Sequence, residues 1–139
     1  MPKSKFFAPC ASSEELSEAF EKQRQETEGH VDRLEQIFED MGKPARGKTC
    51  DAIVGILEEG NEIMEDYAGD PALDSGLAAS AQAVEHYEIA RYGTLACWAA
   101  EIGNSDIAEL LEQTLEEEKA ADEKLSALAE DAINQRAAA

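Results

Sequence analysis

The sequence predicts an all-α protein built as an up-and-down bundle of helices, together with one short accessory helix. Apolar residues recur every three or four positions along most of the chain, which is the spacing of one helix face. Glycine and proline gather at a few breaks, and no segment shows the alternation of Val, Ile or Thr that is typical of strands. With 139 residues, the chain is long enough for one domain. We expect an irregular segment over residues 1–12 and a helical domain over residues 13–135.

The first predicted helix covers residues 13–41. Ser12 and Glu15 have the spacing of a capping box, in which two side chains satisfy free backbone N–H groups at a helix start. One face of this helix is apolar near both ends and polar in the middle. Gly42 is expected to end the helix, and a loop follows over residues 43–48.

The second predicted helix covers residues 49–67 and is short. Thr49 is expected to cap its start, because a hydroxyl oxygen can accept a hydrogen bond from a free N–H group of the first turn. Gly55 and Gly60 weaken it, since glycine loses more backbone entropy in a helix than other residues. We therefore expect an accessory helix rather than a wall of the bundle.

The third predicted helix begins with Asp70 as cap and Pro71 in its first turn, and it reaches residue 102. Gly103 ends it, and a fourth helix runs from residue 104 or 105 to the end of the domain. The face of the third helix that is expected to pack inward consists of Leu77, Ala81, Val84, Glu85, Glu88, Tyr92, Leu95, Ala99 and Ile102.

Charge and cysteine content restrict the classes of partner. The formal net charge of -19 argues against nucleic acid, whose phosphates are bound by Lys and Arg, and against anionic membrane surfaces. No apolar run approaches the roughly 20 residues that span a bilayer. The three cysteines are widely spaced and odd in number, so we expect free thiols in a cytoplasmic protein.

Carboxylates interrupt the apolar faces of three predicted helices near their middles. Burying a carboxylate costs free energy unless a positive charge compensates it. Carboxylates and histidines from facing helices are also the ligands with which helical bundles hold a pair of iron or manganese ions. The candidate metal ligands predicted by this pattern are Glu26, His30, Glu85, Glu88, Glu118 and Asp122.

Each helix taken alone also allows a simpler interpretation. Glu26 lies on a helix rich in surface acids, and His30 can be a core histidine with a hydrogen-bonding neighbour. Glu118 can form an ion pair with Lys119 or Lys124. At about 100° per residue, His86 points well away from the centre of the apolar face, and we expect it at the surface or in an interface. Glu116 and Glu117 are expected to be solvated.

Four stretches of the sequence are similar to one known family. They are ETEGHVDRLE at residues 26–35, RGKTC at residues 46–50, VEHYEIARYGTL at residues 84–95 and LEEEKAADEKL at residues 115–125. These motifs resemble the bacterial YciE/YciF-type ferritin-like proteins, and the resemblance extends over residues 12–130. It implies a ferritin-like helical bundle, usually dimeric and associated with stress response.

The resemblance also implies a difference from the family. Family members begin with an additional long core helix, and residues 1–11 match only its end, so the chain is expected to lack that first helix. A bundle with three walls would leave apolar faces exposed, which proteins rarely tolerate over a large patch. We therefore expect a homodimer in which a second copy covers the open face.

Two functions remain open on these grounds. The first is a stress-associated, ferritin-like protein with a carboxylate and histidine site for one or two iron or manganese ions, and with at most weak ferroxidase or peroxide-type activity. The second is a metal-free helical protein that dimerises or binds a partner, in which the loss of the first helix has left the site vestigial.

Overall fold

The computed structural model describes residues 7–139, in which helices are joined by turns and loops and no strand occurs. The all-α prediction is confirmed. Residues 7–10 form a turn, and the rest of the predicted irregular segment, residues 1–6, lies outside the described residues. The helices are α1 (Glu14–Asp40), α2 (Asp51–Asp66), α3 (Leu73–Glu101) and α4 (Ser105–Leu128), which continues through a π-helical turn (Ala129–Ile133) into α5 (Asn134–Ala137).

The helices alternate in direction along the chain. The central pair is α3 and α4, which pack against each other over most of their lengths. The long helix α1 packs against α4, and the shorter α2 lies against α3. Helices α1 and α2 do not pack closely together within the described part of the chain, so this side of the bundle is open. None of the described helices has the length and apolar character needed to cross a membrane.

The interior is divided into two apolar clusters with a polar layer between them. The lower cluster contains Phe7, Leu16, Phe20, Leu77, Leu125 and Ile133, and the upper cluster contains Ile37, Ala96, Ala99, Ile107 and Leu111. The buried polar residues of the middle layer are His30, Glu85, Thr114 and Glu118. Apolar burial at both ends therefore holds four polar side chains at mid-height, where a group without compensation is costly.

The predicted inward face of α3 is wrong in its second half. Leu95 and Ile102 are 40% and 78% exposed, Ala99 is buried as predicted, and Ala96, which the prediction left out, is buried as well. Small side chains allow the backbones of two helices to approach closely, and Ala96 and Ala99 share a cluster with Ala108 of α4. The helix is therefore oriented by its small residues rather than by its largest apolar ones.

The predicted helix caps also need correction. Ser13 caps α1 by accepting a hydrogen bond from the backbone N–H of Leu16, and Cys50 stands at the start of α2 without a side-chain cap bond. The carboxylate of Asp74 explains the shift from Ser12, because it accepts the backbone N–H groups of Ser12 and Ser13 at 2.7 Å each. The last residue before α1 is thus set by a contact from α3.

Gly60 contributes to packing in a way that its low helix propensity conceals. It is the buried residue of α2, and a Cβ atom there would lie 2.7 Å from the Phe7 ring and 3.4 Å from Ser80. The absence of a side chain at Gly60 therefore lets the Phe7 ring of the lower cluster pack directly against α2. Gly55 on the same helix has no neighbour within 4 Å of a Cβ position and shows no such role.

Candidate metal centre

Helices α3 and α4 bring three carboxylates together in the middle layer. Glu85 and Glu88 are three residues apart on α3 and therefore share one side of the helix. Glu118 faces them from α4, and one carboxylate oxygen of each residue lies within 4.8 Å of the others. Glu85 and Glu118 are almost completely buried, at 4% and 3% exposure. Such a concentration of acidic oxygens favours a nearby cation.

His30 of α1 connects this cluster to a fourth carboxylate, that of Glu117. Its Nδ1 atom lies 3.2 Å from Oε1 of Glu118, and its Nε2 atom lies 2.8 Å from Oε2 of Glu117. Arg33, one turn further along α1, donates from both terminal nitrogens to the two oxygens of Glu117 at 3.2 Å, and from Nη1 to the Thr114 hydroxyl. These contacts form one chain from the arginine to the carboxylate cluster.

The surroundings change the ionisation of two side chains in this region. Partial burial works to raise the pKa of Glu117, but the hydrogen bonds from Arg33 and His30 outweigh it and hold the pKa below its ordinary value. Glu117 therefore contributes stability above the ordinary pKa of glutamate, and this contribution is lost as pH falls through the lowered value. Burial, assisted by the Glu118 charge, raises the pKa of Tyr92 to about 12.

Besides His30, two of the predicted ligands, Glu26 and Asp122, lie outside the group of three carboxylates. Glu26 lines a groove of about 460 Å³ between α1 and α4, and its Oε1 atom lies 3.3 Å from the Lys22 ammonium. Asp122 has one oxygen 3.0 Å from Nε2 of His86, and its other oxygen accepts a hydrogen bond from the Gln82 amide. His86 is largely exposed, in line with the expectation from helix geometry.

Glu117 is the residue of this region that the sequence pattern missed. It was expected to be solvated, but its side chain is 31% exposed and engages both His30 and Arg33. A signal was available on the opposite helix, since His30 and Arg33 are three residues apart and face the same side. Two such donors on one side of α1 indicate a carboxylate partner on the helix packed against it.

The donor set fits a divalent metal ion. Carboxylate oxygens with a neighbouring imidazole and no thiolate suit iron or manganese. Cys10, Cys50 and Cys97 are free thiols and do not belong to the cluster. The residues that could contact an ion directly are Glu85, Glu88 and Glu118, and the His30 imidazole lies beside Glu118.

Comparison with known proteins agrees with the fold and with the sequence motifs. The chain is 44% identical to protein YciF of Escherichia coli K12 over an alignment of 131 residues. This alignment covers 94% of this chain and 79% of YciF. The crystal structure of the E. coli stress protein YciF is similar with a TM-score of 0.87 and 40% identity, over 96% of this chain and 89% of that chain. YcfI from Rhodopseudomonas palustris is similar with a TM-score of 0.86 and 41% identity, over 89% of this chain and 79% of that chain.

A family model adds the assignment of the chain as a whole. The model is described as a domain of unknown function, DUF892, and it matches residues 5–138. This range contains all four motifs and all four long helices. The resemblance to YciF-type proteins is therefore confirmed, and the chain belongs to the DUF892 family as a YciF-like, all-helical protein.

Proposed function

We propose that this YciF-like protein is a stress-associated, ferritin-like metal-binding protein that holds iron or manganese in the middle layer of its bundle. The observation that carries this function is the convergence of Glu85, Glu88 and Glu118 in a buried layer between two apolar clusters. Three carboxylates this close together repel one another, and the low-dielectric surroundings of a buried layer strengthen that repulsion. A divalent cation bound between their oxygens would lower the cost of burying them.

In this function Glu85, Glu88 and Glu118 bind the ion through carboxylate oxygens. Glu26 and Asp122 remain predicted ligands, and each has a local partner of its own. With iron bound, the centre would allow Fe(II) to be oxidised by oxygen or peroxide, and we expect any such activity to be weak. The three free cysteines suit a reducing compartment, which we take to be the cytoplasm.

Metal content tests this function directly. Protein purified without a histidine tag is loaded anaerobically with Fe(II) or Mn(II), desalted and measured by elemental mass spectrometry. One to two ions per chain are expected for the wild type, and Glu118→Gln should retain none, because an amide cannot provide the anionic ligand. Glu116→Gln, at an exposed position on the same helix, is the matched control and should load normally.

Two results would contradict the metal function. One is a folded wild-type chain that retains no ion after loading. The other is a Glu118→Gln variant with unchanged stoichiometry, which would move the ion elsewhere. Ligating carboxylates must also be ionised, so affinity is expected to fall as pH is lowered.

A second candidate function, a helical homodimer, is favoured by an exposed apolar surface on α3. The bare α3 face is formed by residues at spacings of three and four on one side of the helix. In the first half of α3, helix α2 covers this same side. The cover ends at Tyr87, whose hydroxyl lies 2.9 Å from the thiol of Cys50 at the start of α2. The members of the bare α3 face are Arg91, Leu95, Trp98 and Ile102, with Trp98 64% exposed.

We propose that a second copy of the chain covers the bare α3 face. A net charge of -19 repels another copy over most of the surface, but residues 90–102 contain only Arg91 and Glu101 as charged residues. A two-fold axis between Leu95 and Trp98 would pair two α3 helices antiparallel. Arg91 would then lie beside Glu101 of the partner subunit, so the charges at the two ends of the patch are complementary.

Replacing Trp98 by Asp is expected to dissociate this dimer. Buried tryptophans often contribute 2 kcal/mol or more to an interface, so the dissociation constant should rise by a factor of about 30 or more. Sedimentation velocity at micromolar concentrations measures the change. Val31→Asp, at an exposed apolar position of α1, is the control and should leave the dimer intact. A wild-type monomer, or a dimeric Trp98→Asp variant, would contradict this interface.

A further inference from the structure

His30 occupies a position that differs from that of a typical metal ligand. Each of its two ring nitrogens already lies within 3.2 Å of a carboxylate oxygen, Nε2 at Glu117 and Nδ1 at Glu118. The ring is 5% exposed and its edge packs near the Tyr92 ring, with centroids 6.2 Å apart. The side chain is therefore held by a hydrogen bond to Glu117, lies at ion-pair distance from Glu118 and has one aromatic neighbour.

The orientation of the Glu117 carboxylate is fixed by Arg33. Its two oxygens both accept hydrogen bonds from Arg33, a planar contact that restricts the rotation of the carboxylate. Arg33 is itself held to the Thr114 hydroxyl. Rigid contacts of this kind orient the next group in the series, which here is His30 beside Glu118. Hydrogen-bonded carboxylates next to metal-binding side chains commonly act in this way.

We infer that His30 is a positioning residue that aims Glu118 into the carboxylate cluster, and that Arg33 and Glu117 fix His30 for this purpose. This inference rests on the proposed metal function and assigns a role to residues that would not touch the ion. The sequence pattern predicts His30 as a nitrogen ligand, whereas in the structure its two ring nitrogens lie next to carboxylate oxygens of Glu117 and Glu118. The metal would then be held by oxygen atoms of the protein.

Replacing Arg33, Glu117 or His30 should weaken metal binding without removing a residue that binds the ion. We expect Glu117→Gln and His30→Ala each to weaken Mn(II) binding about 10–100-fold, the range measured when residues that orient metal ligands are lost. His30→Gln should recover part of the affinity, because its amide can still donate a hydrogen bond to one carboxylate. Glu116→Gln on the exposed side of α4 is the matched control and should bind as the wild type does.

A spectroscopic measurement separates positioning from ligation. The chain contains two histidines, so 15N-labelling of histidine marks His30 and His86 alone, and His86→Asn removes the second signal. Pulsed EPR of the Mn(II)-loaded His86→Asn protein is expected to show no coupling of the size given by a bound nitrogen. Mn(II) in 15N-imidazole solution provides the reference for that coupling.

The possible outcomes distinguish failure of this inference from failure of the metal function. A direct 15N coupling would overturn the positioning role and leave the metal function standing. Normal Mn(II) affinity in both Glu117→Gln and His30→Ala would also overturn it. A wild-type protein that binds no Mn(II) would overturn both. Weakened binding in these variants, with restored affinity in His30→Gln and no nitrogen coupling, is the expected result.

Discussion

Replacing Glu85 by Gln is expected to stabilise the metal-free protein while it removes most of the metal affinity. Glu85 is 4% exposed, and one of its carboxylate oxygens lies within 4.8 Å of an oxygen of Glu88 and of Glu118, so the three acidic groups repel one another when no cation lies between them. Removing one of three like charges should raise the free energy of unfolding by about 1–3 kcal/mol. Loss of a carboxylate ligand should weaken Mn(II) binding at least about 100-fold, which corresponds to roughly 3 kcal/mol.

Two measurements check this opposition of stability and binding. Urea denaturation of the metal-free proteins compares the free energies of unfolding, and titration with Mn(II) compares the affinities. Glu112→Gln, an exposed position of α4, is the control for removal of a surface charge from an acidic chain and should change neither quantity strongly. Destabilisation by Glu85→Gln with unchanged Mn(II) affinity would mean that the carboxylate has a structural role instead.

Replacing Asp74 by Ala is expected to destabilise the fold by about 2–4 kcal/mol. This carboxylate is 8% exposed and accepts the backbone N–H groups of Ser12 and Ser13, both at 2.7 Å. Hydrogen bonds to a charged acceptor contribute more than neutral ones, and the buried N–H group of Ser13 would lose its partner and add a desolvation cost. Asp74 also lies in the first turn of α3, where a negative charge is favourable.

The Asp74 prediction is tested by urea denaturation with a matched surface variant. Asp32→Asn removes the same charge from an exposed position of α1, so it is expected to change the free energy of unfolding by less than about 0.5 kcal/mol. A similar small change for Asp74→Ala would show that solvent replaces both hydrogen bonds at little cost.

Much of the fold follows from local signals in the sequence. Gly42 and Gly103 adopt positive φ angles of 65° and 77°, and glycine is the residue that does this without strain, so both helix ends were predictable. The start of α1 was less predictable, because Asp74 lies about 60 residues further along the chain and determines which serine acts as cap. A contact of that range leaves no local pattern.

The orientation of α3 and the membership of the site show a second limit. The side of α3 that faces α4 depends on Ala96 and Ala99, and a pattern of large apolar residues gives Leu95 the same weight. Glu85, Glu88 and Glu118 meet because α3 and α4 are close neighbours, whereas Asp122 is directed towards Gln82 and His86. Periodicity places a residue on a helix face, but the partner helix decides which side chains converge there.

The π-helical turn at Ala129–Ile133 has a consequence for how related sequences are aligned. In an uninterrupted helix Ile133 would be rotated about 80° from Leu125, eight positions earlier. The wider turn absorbs one residue and returns Ile133 to the lower apolar cluster beside Leu125. A homologue that is one residue shorter at this point can keep the same core with a regular helix, so a single-residue gap here would be a change of winding rather than an alignment error.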